Sequence, residues 1–218
     1  MEKIITDDGS ITFRNEALDE CYHTKSGALD ESLRKHVIPS KILDEVKDEL
    51  YIADICFGLG YNSIVAISEI WKINPDCKIY LYIFENDINI MNELKNISLN
   101  SELEKIKTLM LSLIEKGELI ENNFYGKLFL GDFREELKNC DNSLFDAVFF
   151  DPFSPGKVPE LWSEEVFSLV YAKCKLNCVL TTYSCARMVR DNLRKVGFSV
   201  VDGPCIGRRS PSTLARKT

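Results

Sequence analysis

Four places in this 218-residue chain bring chemically capable side chains to the end of a short apolar run. The most pointed is FFDPFSPGKVPELW, residues 149–162, in which an apolar run over 147–150 meets Asp151 and is then broken by Pro152, Pro155 and Pro159. Proline fixes φ and removes a backbone donor, so a strand that reaches Pro152 must stop and present Asp151 at its tip. The other three are DICFGLGYN at 54–62, FEND at 84–87 and GDF at 131–133. Together they offer one glycine turn and three acids, a set suited to accepting hydrogen bonds from hydroxyl and amino groups.

Gly58 and Gly60 allow the backbone to approach a ligand closely between strand and helix, and Glu85 stands where an acid accepts the hydroxyls of a ribose. Asp132 is placed to accept from an adenine amino group beside the apolar wall of Phe133. Singly, Glu85 and Asp132 read equally well as acids that favour a helix start. Position 63 is Ser where G-x-G-x-x-G has its third glycine, which disfavours a nicotinamide dinucleotide, and no G-x-x-x-x-G-K-[ST] is present to cradle a triphosphate. A ligand with ribose and adenine but no phosphate fits better, and S-adenosyl-L-methionine is such a ligand. Asp54, Phe57 and Asn62 complete the predicted cofactor wall. Asp151 then gains a purpose: D-P-F-S-P is a relative of the [D/N]-P-P-[Y/F] segment with which amine methyltransferases hold their substrate nitrogen. Asp151 would orient the amine, Pro152 fix the carbonyl beside it, and Phe153 stack on a planar substrate.

These tips need a sheet to gather them. LYIADICF (50–57), KIYLYIFE (78–85), KLFL (127–130), LFDAVFFD (144–151) and CVLTTYS (178–184) read as strands, each followed by a helical pattern. FSVVDGP and STLAR read as two closing strands. Strands that alternate with helices form parallel βαβ units, so the predicted fold is a doubly wound, mostly parallel, seven-stranded α/β sandwich with ligands at the carboxyl ends of its strands. Residues 50–218 form that domain, with a helical insertion at about 101–126. Residues 1–49 form an N-terminal extension, with a hairpin over ITDDGSITFRN and helix over SLRKHVIPSKILDEVKDEL.

The net charge of −7 argues against a protein that coats nucleic acid. A local basic patch is still present, because Arg187, Arg190, Arg194, Lys195, Arg208, Arg209, Arg216 and Lys217 crowd the last 32 residues. Eight scattered cysteines without a C-x-x-C pair, and only His23 and His36, predict no metal site. No leader or membrane span is recognisable, so a soluble cytoplasmic protein is expected.

CFGLGYN (56–62), FDAVFFDPFSPGKVPELWSEEVF (145–167) and TYSCARMVRDNLRKVGFSVVDGPCIGRR (182–209) resemble the methyltransferase domain of the tRNA 5-methylaminomethyl-2-thiouridine biosynthesis proteins, the MnmC family. DGSITFRNEALDECYHTKSGALDES (8–32) is similar to the N-terminal region of its stand-alone relatives. The resemblance implies a class I, Rossmann-like fold and methyl transfer from S-adenosyl-L-methionine to the aminomethyl group on the wobble uridine of tRNA. By position it carries over Gly58, Gly60, Glu85, Asp132 and Asp151 as cofactor or amine contacts, with Tyr22 and His23 as a lid. Trp162, Arg208 and Arg209 are the expected substrate side. The family's flavin-dependent oxidase domain has no counterpart here, so the enzyme that makes the aminomethyl precursor is an expected partner. This chain also has D-P-F-S-P where the family carries D-G-F-A-P. Two other readings compete: an aminopropyltransferase of the spermidine synthase type, which would need more acids than 151–165 offers before Glu160, and a non-catalytic adenosine- or tRNA-binding module.

Overall fold

The apolar runs become strands of one sheet in the computed structural model, which describes residues 2–44, 46–207 and 209–218. Its five central strands are β4 (Glu49–Ile55), β5 (Lys78–Glu85), β7 (Phe124–Leu130), β8 (Phe145–Phe150) and β9 (Cys174–Thr182). At the edges lie β6 (Glu118–Glu121), β10 (Phe198–Asp202) and β11 (Thr213–Lys217). The order is β10-β11-β9-β8-β4-β5-β7-β6. The central five are parallel, and β6, β11 and β10 are antiparallel additions. The register sets Ile55 against both Phe84 and Phe150, which brings the tips of β4, β5 and β8 level at one edge.

Side chains alternate across these strands with period two, as a sheet buried on both faces requires. On one face Leu50, Ile52, Ile79, Leu81, Ile83 and Phe149 pack under α2 (Tyr61–Ile73) and α4 (Ser101–Lys116). On the other, Ala53, Ile55, Phe84, Val148, Phe150 and Leu180 pack under α6 (Glu164–Lys173) and α7 (Arg187–Lys195). The short helices α3 (Ile88–Asn92) and α5 (Phe133–Glu136) follow the tips of β5 and β7.

The segment 101–126 departs from a helical insertion. Asn100 caps α4 by accepting from the amides of Glu102 and Leu103, and Gly117, at φ 76°, ends it. The chain then turns through β6, which pairs with β7 as a hairpin and adds an eighth strand to the seven expected. Helix α4, joined to α2 by a bond from Ser68 to Glu102 at 3.2 Å, covers the sheet at β7 and β6. It does the work expected of 86–97, where only α3 and a 3-10 turn form.

The N-terminal residues form a second, three-stranded antiparallel sheet of β1 (Glu2–Ile5), β2 (Ile11–Asn15) and β3 (Glu20–Cys21). After it, α1 (Ala28–Glu31) runs into a π-helical turn, Ser32–Val37, marked by the bond from Ile38 N to Leu33 O. The helix expected over 32–50 stops there. This small sheet is bound to the large one: the Tyr61 hydroxyl donates to Ile11 O at 2.8 Å, and Glu20 accepts from both the amide and the hydroxyl of Ser154 at 2.7–3.2 Å.

Candidate active site

The tips of β4, β5, β8 and β9 open into a cleft of about 330 Å³, roofed by residues 15–24 of the small sheet. Cys56, Glu85, Asn86, Val158 and Leu161 line it and also line a second lobe of about 170 Å³, walled by Asp132, Phe133 and Arg134. The four strand ends singled out from the sequence thus border one continuous space.

Glu85 stands where the lobes meet. One of its oxygens accepts from Gly58 N at 2.9 Å and the other from Asn86 N and Asp87 N at 2.8 and 3.0 Å. Burial pushes its carboxyl up, and these three amides act against that by favouring the ionised form. Both turn glycines have positive φ, 56° at Gly58 and 76° at Gly60. A Cβ on Gly60 would stand 2.3 Å from the Phe57 ring, so the turn folds over Phe57 and keeps it in the core, 3% exposed and away from the cleft. Asp132 caps α5 by accepting from Arg134 N and pairs with the Arg134 guanidinium, while Phe133 is buried against Phe150 beside the second lobe.

Asp54 and Asn62 lie beneath this surface. Asp54 is fully buried and accepts from Ser63 Oγ at 2.6 Å, and burial raises its carboxyl to about 8. It keeps its proton at neutral pH. The Ser at the missing-glycine position is therefore its partner. Asn62 donates from Nδ2 to Asp151 Oδ2 at 3.1 Å, so it supports the amine end of the cleft.

Asp151 lines the larger lobe with its side chain 14% exposed, and burial pushes its carboxyl up to about 6. Pro152 O accepts from the Tyr183 hydroxyl and Phe153 O from Trp162 Nε1, both at 2.9 Å, which fixes the direction of the D-P-F-S-P backbone. Tyr22 meets Phe153 edge-on at 4.9 Å, and a Cβ on Gly58 would lie 3.3 Å from the Tyr22 ring, so Tyr22 roofs the cleft between the two. His23 is buried against Tyr61, and burial lowers its imidazole.

Trp162 requires a correction. It is 0% exposed and packs on Phe150, Phe167 and Tyr183, so it holds Phe153 in place from the core and touches no substrate. Arg208 lies outside the described residues. Arg209 is exposed in the turn between β10 and β11, two residues from Gly207, where an added Cβ would meet Ser26 and Thr24 at the cleft rim.

Sequence reasoning missed three residues of the floor. Glu31 is 6% exposed, lines the cleft and pairs with Lys35, itself 1% exposed. His36, also 1% exposed, sits with Nε2 3.7 Å from Asp151 Oδ2. Glu31 and Lys35 stand four apart, a spacing that signals a pair but not its burial.

The strand order and the acid-tipped cleft are those of a class I, Rossmann-like methyltransferase. Residues 98–218 match the family of S-adenosyl-L-methionine-dependent methyltransferases, and the chain belongs to that family. The crystal structure of MnmC2 from Aquifex aeolicus matches with a TM-score of 0.90 and 34% identity, over 98% of this chain and 69% of that one. An uncharacterized protein of Methanocaldococcus jannaschii is 30% identical over 97% of this chain. The bifunctional tRNA 5-methylaminomethyl-2-thiouridine biosynthesis protein MnmC of Leptospira interrogans is 26% identical over 94% of it. The chain spans 58% and 34% of the length of these two relatives.

The cofactor is S-adenosyl-L-methionine, and the residues fit it. Glu85 joins a lobe walled by Phe133 to one lined by Glu20, Glu31, Asp87 and Asp151, with no Lys or Arg among the described lining residues of the larger lobe. That lobe suits the sulfonium and ammonium groups of the cofactor's arm, whereas the arm's carboxylate finds no cation among the described lining residues and would rely on backbone amides or solvent. Glu85→Ala is expected to weaken cofactor binding by about 1–3 kcal/mol, the cost of losing hydrogen bonds to a charged acceptor. Calorimetry checks this, and an unchanged affinity would place the ribose elsewhere. Among the described residues no helix is long and apolar enough to cross a membrane, and no cluster of His, Cys, Asp or Glu stands ready for a metal ion.

Proposed function

We propose that this protein methylates the primary amine of the aminomethyl group on the wobble uridine of tRNA, in the cytoplasm. The observation that carries the reading is Asp151 at the tip of β8. Asn62 donates to its Oδ2 and His36 Nε2 lies 3.7 Å from the same oxygen, while no hydrogen bond reaches its Oδ1 among the described residues. When bound, S-adenosyl-L-methionine supplies an electrophilic methyl group. The chain must hold the amine, remove one proton and exclude water. An aminomethyl group is largely protonated at neutral pH, so its ammonium donates to Asp151 and passes one N–H proton to Oδ1, which frees the nitrogen lone pair. A carboxyl near 6 is ionised at neutral pH and a better acceptor than an ordinary aspartate. Turnover should therefore rise with pH through about 6. Phe153 and Tyr22, in edge-on contact with each other, offer one aromatic wall to a planar base, and the segment 15–24 acts as the lid.

The deciding measurement is mass spectrometry of tRNA nucleosides before and after incubation with protein and cofactor. The expected result is a gain of one methyl on an aminomethyl uridine. Gain of an aminopropyl group from the decarboxylated cofactor would replace this reading with polyamine synthesis. Cofactor binding with no transfer to any amine would leave a binding module.

The tRNA reading also predicts a role for Arg209 at the rim. Arg209→Ala should raise the tRNA Michaelis constant, leave cofactor affinity unchanged and reduce the salt slope of tRNA binding by about one, as for one lost phosphate contact. An unchanged slope would place the phosphates elsewhere. The enzyme that supplies the aminomethyl precursor is the protein partner this reading calls for.

A further inference from the structure

We propose that His36 is the positioning residue of Asp151: a neutral imidazole whose Nε2–H, together with the Asn62 amide, holds Oδ2 so that Oδ1 is turned to the substrate nitrogen. The inference rests on the amine-methyltransferase reading of the cleft for the role of Asp151. Its own observations are separate. His36 comes from the N-terminal segment, yet it is buried between the ends of β8 and β9. Its Nδ1 lies 3.1 Å from Thr181 Oγ1, and its ring meets Phe149 edge-on at 6.0 Å and 80°. Phe149 and Thr181 are themselves register partners, so the ring is held by two adjacent strands.

The other ring nitrogen decides the role. Nε2 is fully buried and has no hydrogen bond within the described residues, and Asp151 Oδ2, at 3.7 Å, is the acceptor it approaches. A buried donor without a partner is costly, and a small approach of the two groups satisfies it. With Nδ1 as acceptor from the Thr181 hydroxyl, Nε2 carries the hydrogen and points it at the carboxylate; an Nδ1–H donated to the Thr181 backbone carbonyl is the competing tautomer. The π-helical turn explains how the residue reaches this place. Lys35, His36 and Val37 are buried in succession along it.

His36 must stay neutral to do this, and burial pulls its imidazole down to about 4. The ionisable groups around Asp151 are Glu31 on α1, Lys35 and His36 on the π-helical turn, His23 after β3, and Asp54 with Cys56 at the end of β4. Of these Glu31 and Lys35 are paired with each other, and His23, Asp54 and the Cys56 thiol are held uncharged by burial at neutral pH. The N–H of His36 is thus a neutral donor that favours the ionised carboxylate.

The test is the pH profile of methyl transfer under single-turnover conditions, with cofactor affinity measured alongside. Loss of the donor in His36→Phe should move the acidic limb of the profile upward by about 1 pH unit, the size expected for one hydrogen bond to a charged group. His36→Gln, which keeps an N–H donor, should restore the limb. A limb that stays or moves down in a folded, cofactor-binding His36→Phe would overturn the proposal. Because that variant can fail to fold, the wild-type imidazole is read directly by nitrogen NMR. The Nε2–H tautomer, neutral from pH 5.5 to 8, is expected at about the shifts of a neutral ring. The Nδ1–H tautomer or a charged ring would reject it. Absence of methyl transfer by the wild type would defeat the amine reading instead, and the tautomer would still be measured.

Discussion

Asp151→Ala is expected to lower single-turnover methyl transfer by about 10²- to 10⁴-fold, the range of a lost general base, with cofactor affinity nearly unchanged. The split between the two quantities is what identifies the role. Asp151 follows β8 and lines the cleft with Oδ2 tied to Asn62, so the side chain can act on an amine without holding the nucleoside half of the cofactor. Asp151→Asn should lose nearly as much, because the amide keeps the shape but cannot take the proton. Stability should not fall with activity. Burial raises this carboxyl and Glu31 adds repulsion, so its removal relieves a cost that the folded chain carries for function. A variant with near-native turnover would remove Asp151 from the proton-accepting role, and one with a collapsed thermal midpoint would make it structural.

The second large effect concerns stability. Lys35→Met is expected to destabilise the fold by about 3–5 kcal/mol, because it strands the Glu31 carboxylate in the interior. Among the described residues Glu31 would keep the amide and hydroxyl of Thr24, at 3.0 and 3.1 Å, and His23 at 3.9 Å. Burial alone would push the Glu31 carboxyl up, but it is held below the ordinary value of 4.5 by the positive charges and donors around it. At neutral pH, where burial keeps His23 uncharged, Lys35 is the full cation beside Glu31; where Glu31 titrates, His23 acts with it. The stabilisation is thus complete above the free carboxyl value of 4.5 and disappears as pH falls through the lower folded value. Replacing both partners, Lys35→Met with Glu31→Gln, should recover much of the loss. Urea unfolding at pH 7 measures each step, and a single variant as stable as wild type would show that water reaches Glu31.

Much of the site was legible because its signals are local. Gly58, Gly60 and Pro152 punctuate apolar runs, and a parallel sheet places the next residues at one edge whatever the rest of the chain does. The floor was not. SLRKHV reads as part of a helix, and nothing in it says that Lys35 and His36 turn inward; that depends on Glu31 one turn away and on Thr181 far along the chain. The strand β6 was missed for a similar reason. ELIE carries acids at both ends and becomes a strand by pairing with β7 after Gly117 ends the helix. Trp162 misled in the opposite sense: it is expected on the substrate side, whereas Phe150 and Phe167 enclose it.

The acid lining of the larger lobe has a consequence for how a polyanion would be read. Glu20, Glu31, Glu85, Asp87 and Asp151 surround a space with no described Lys or Arg in its wall, while Lys25, Lys157, Arg187 and Arg209 are exposed and adjoin segments that line or border it. A phosphate approaching the floor meets a field of its own sign, and one lying on the rim does not. On the proposed tRNA reading, the arrangement would sort a nucleotide by its parts: the sugar–phosphate chain would be kept outside, and a base bearing a cationic amine would be drawn in. Such a sieve favours a nucleotide extruded from its strand over one presented within a stack.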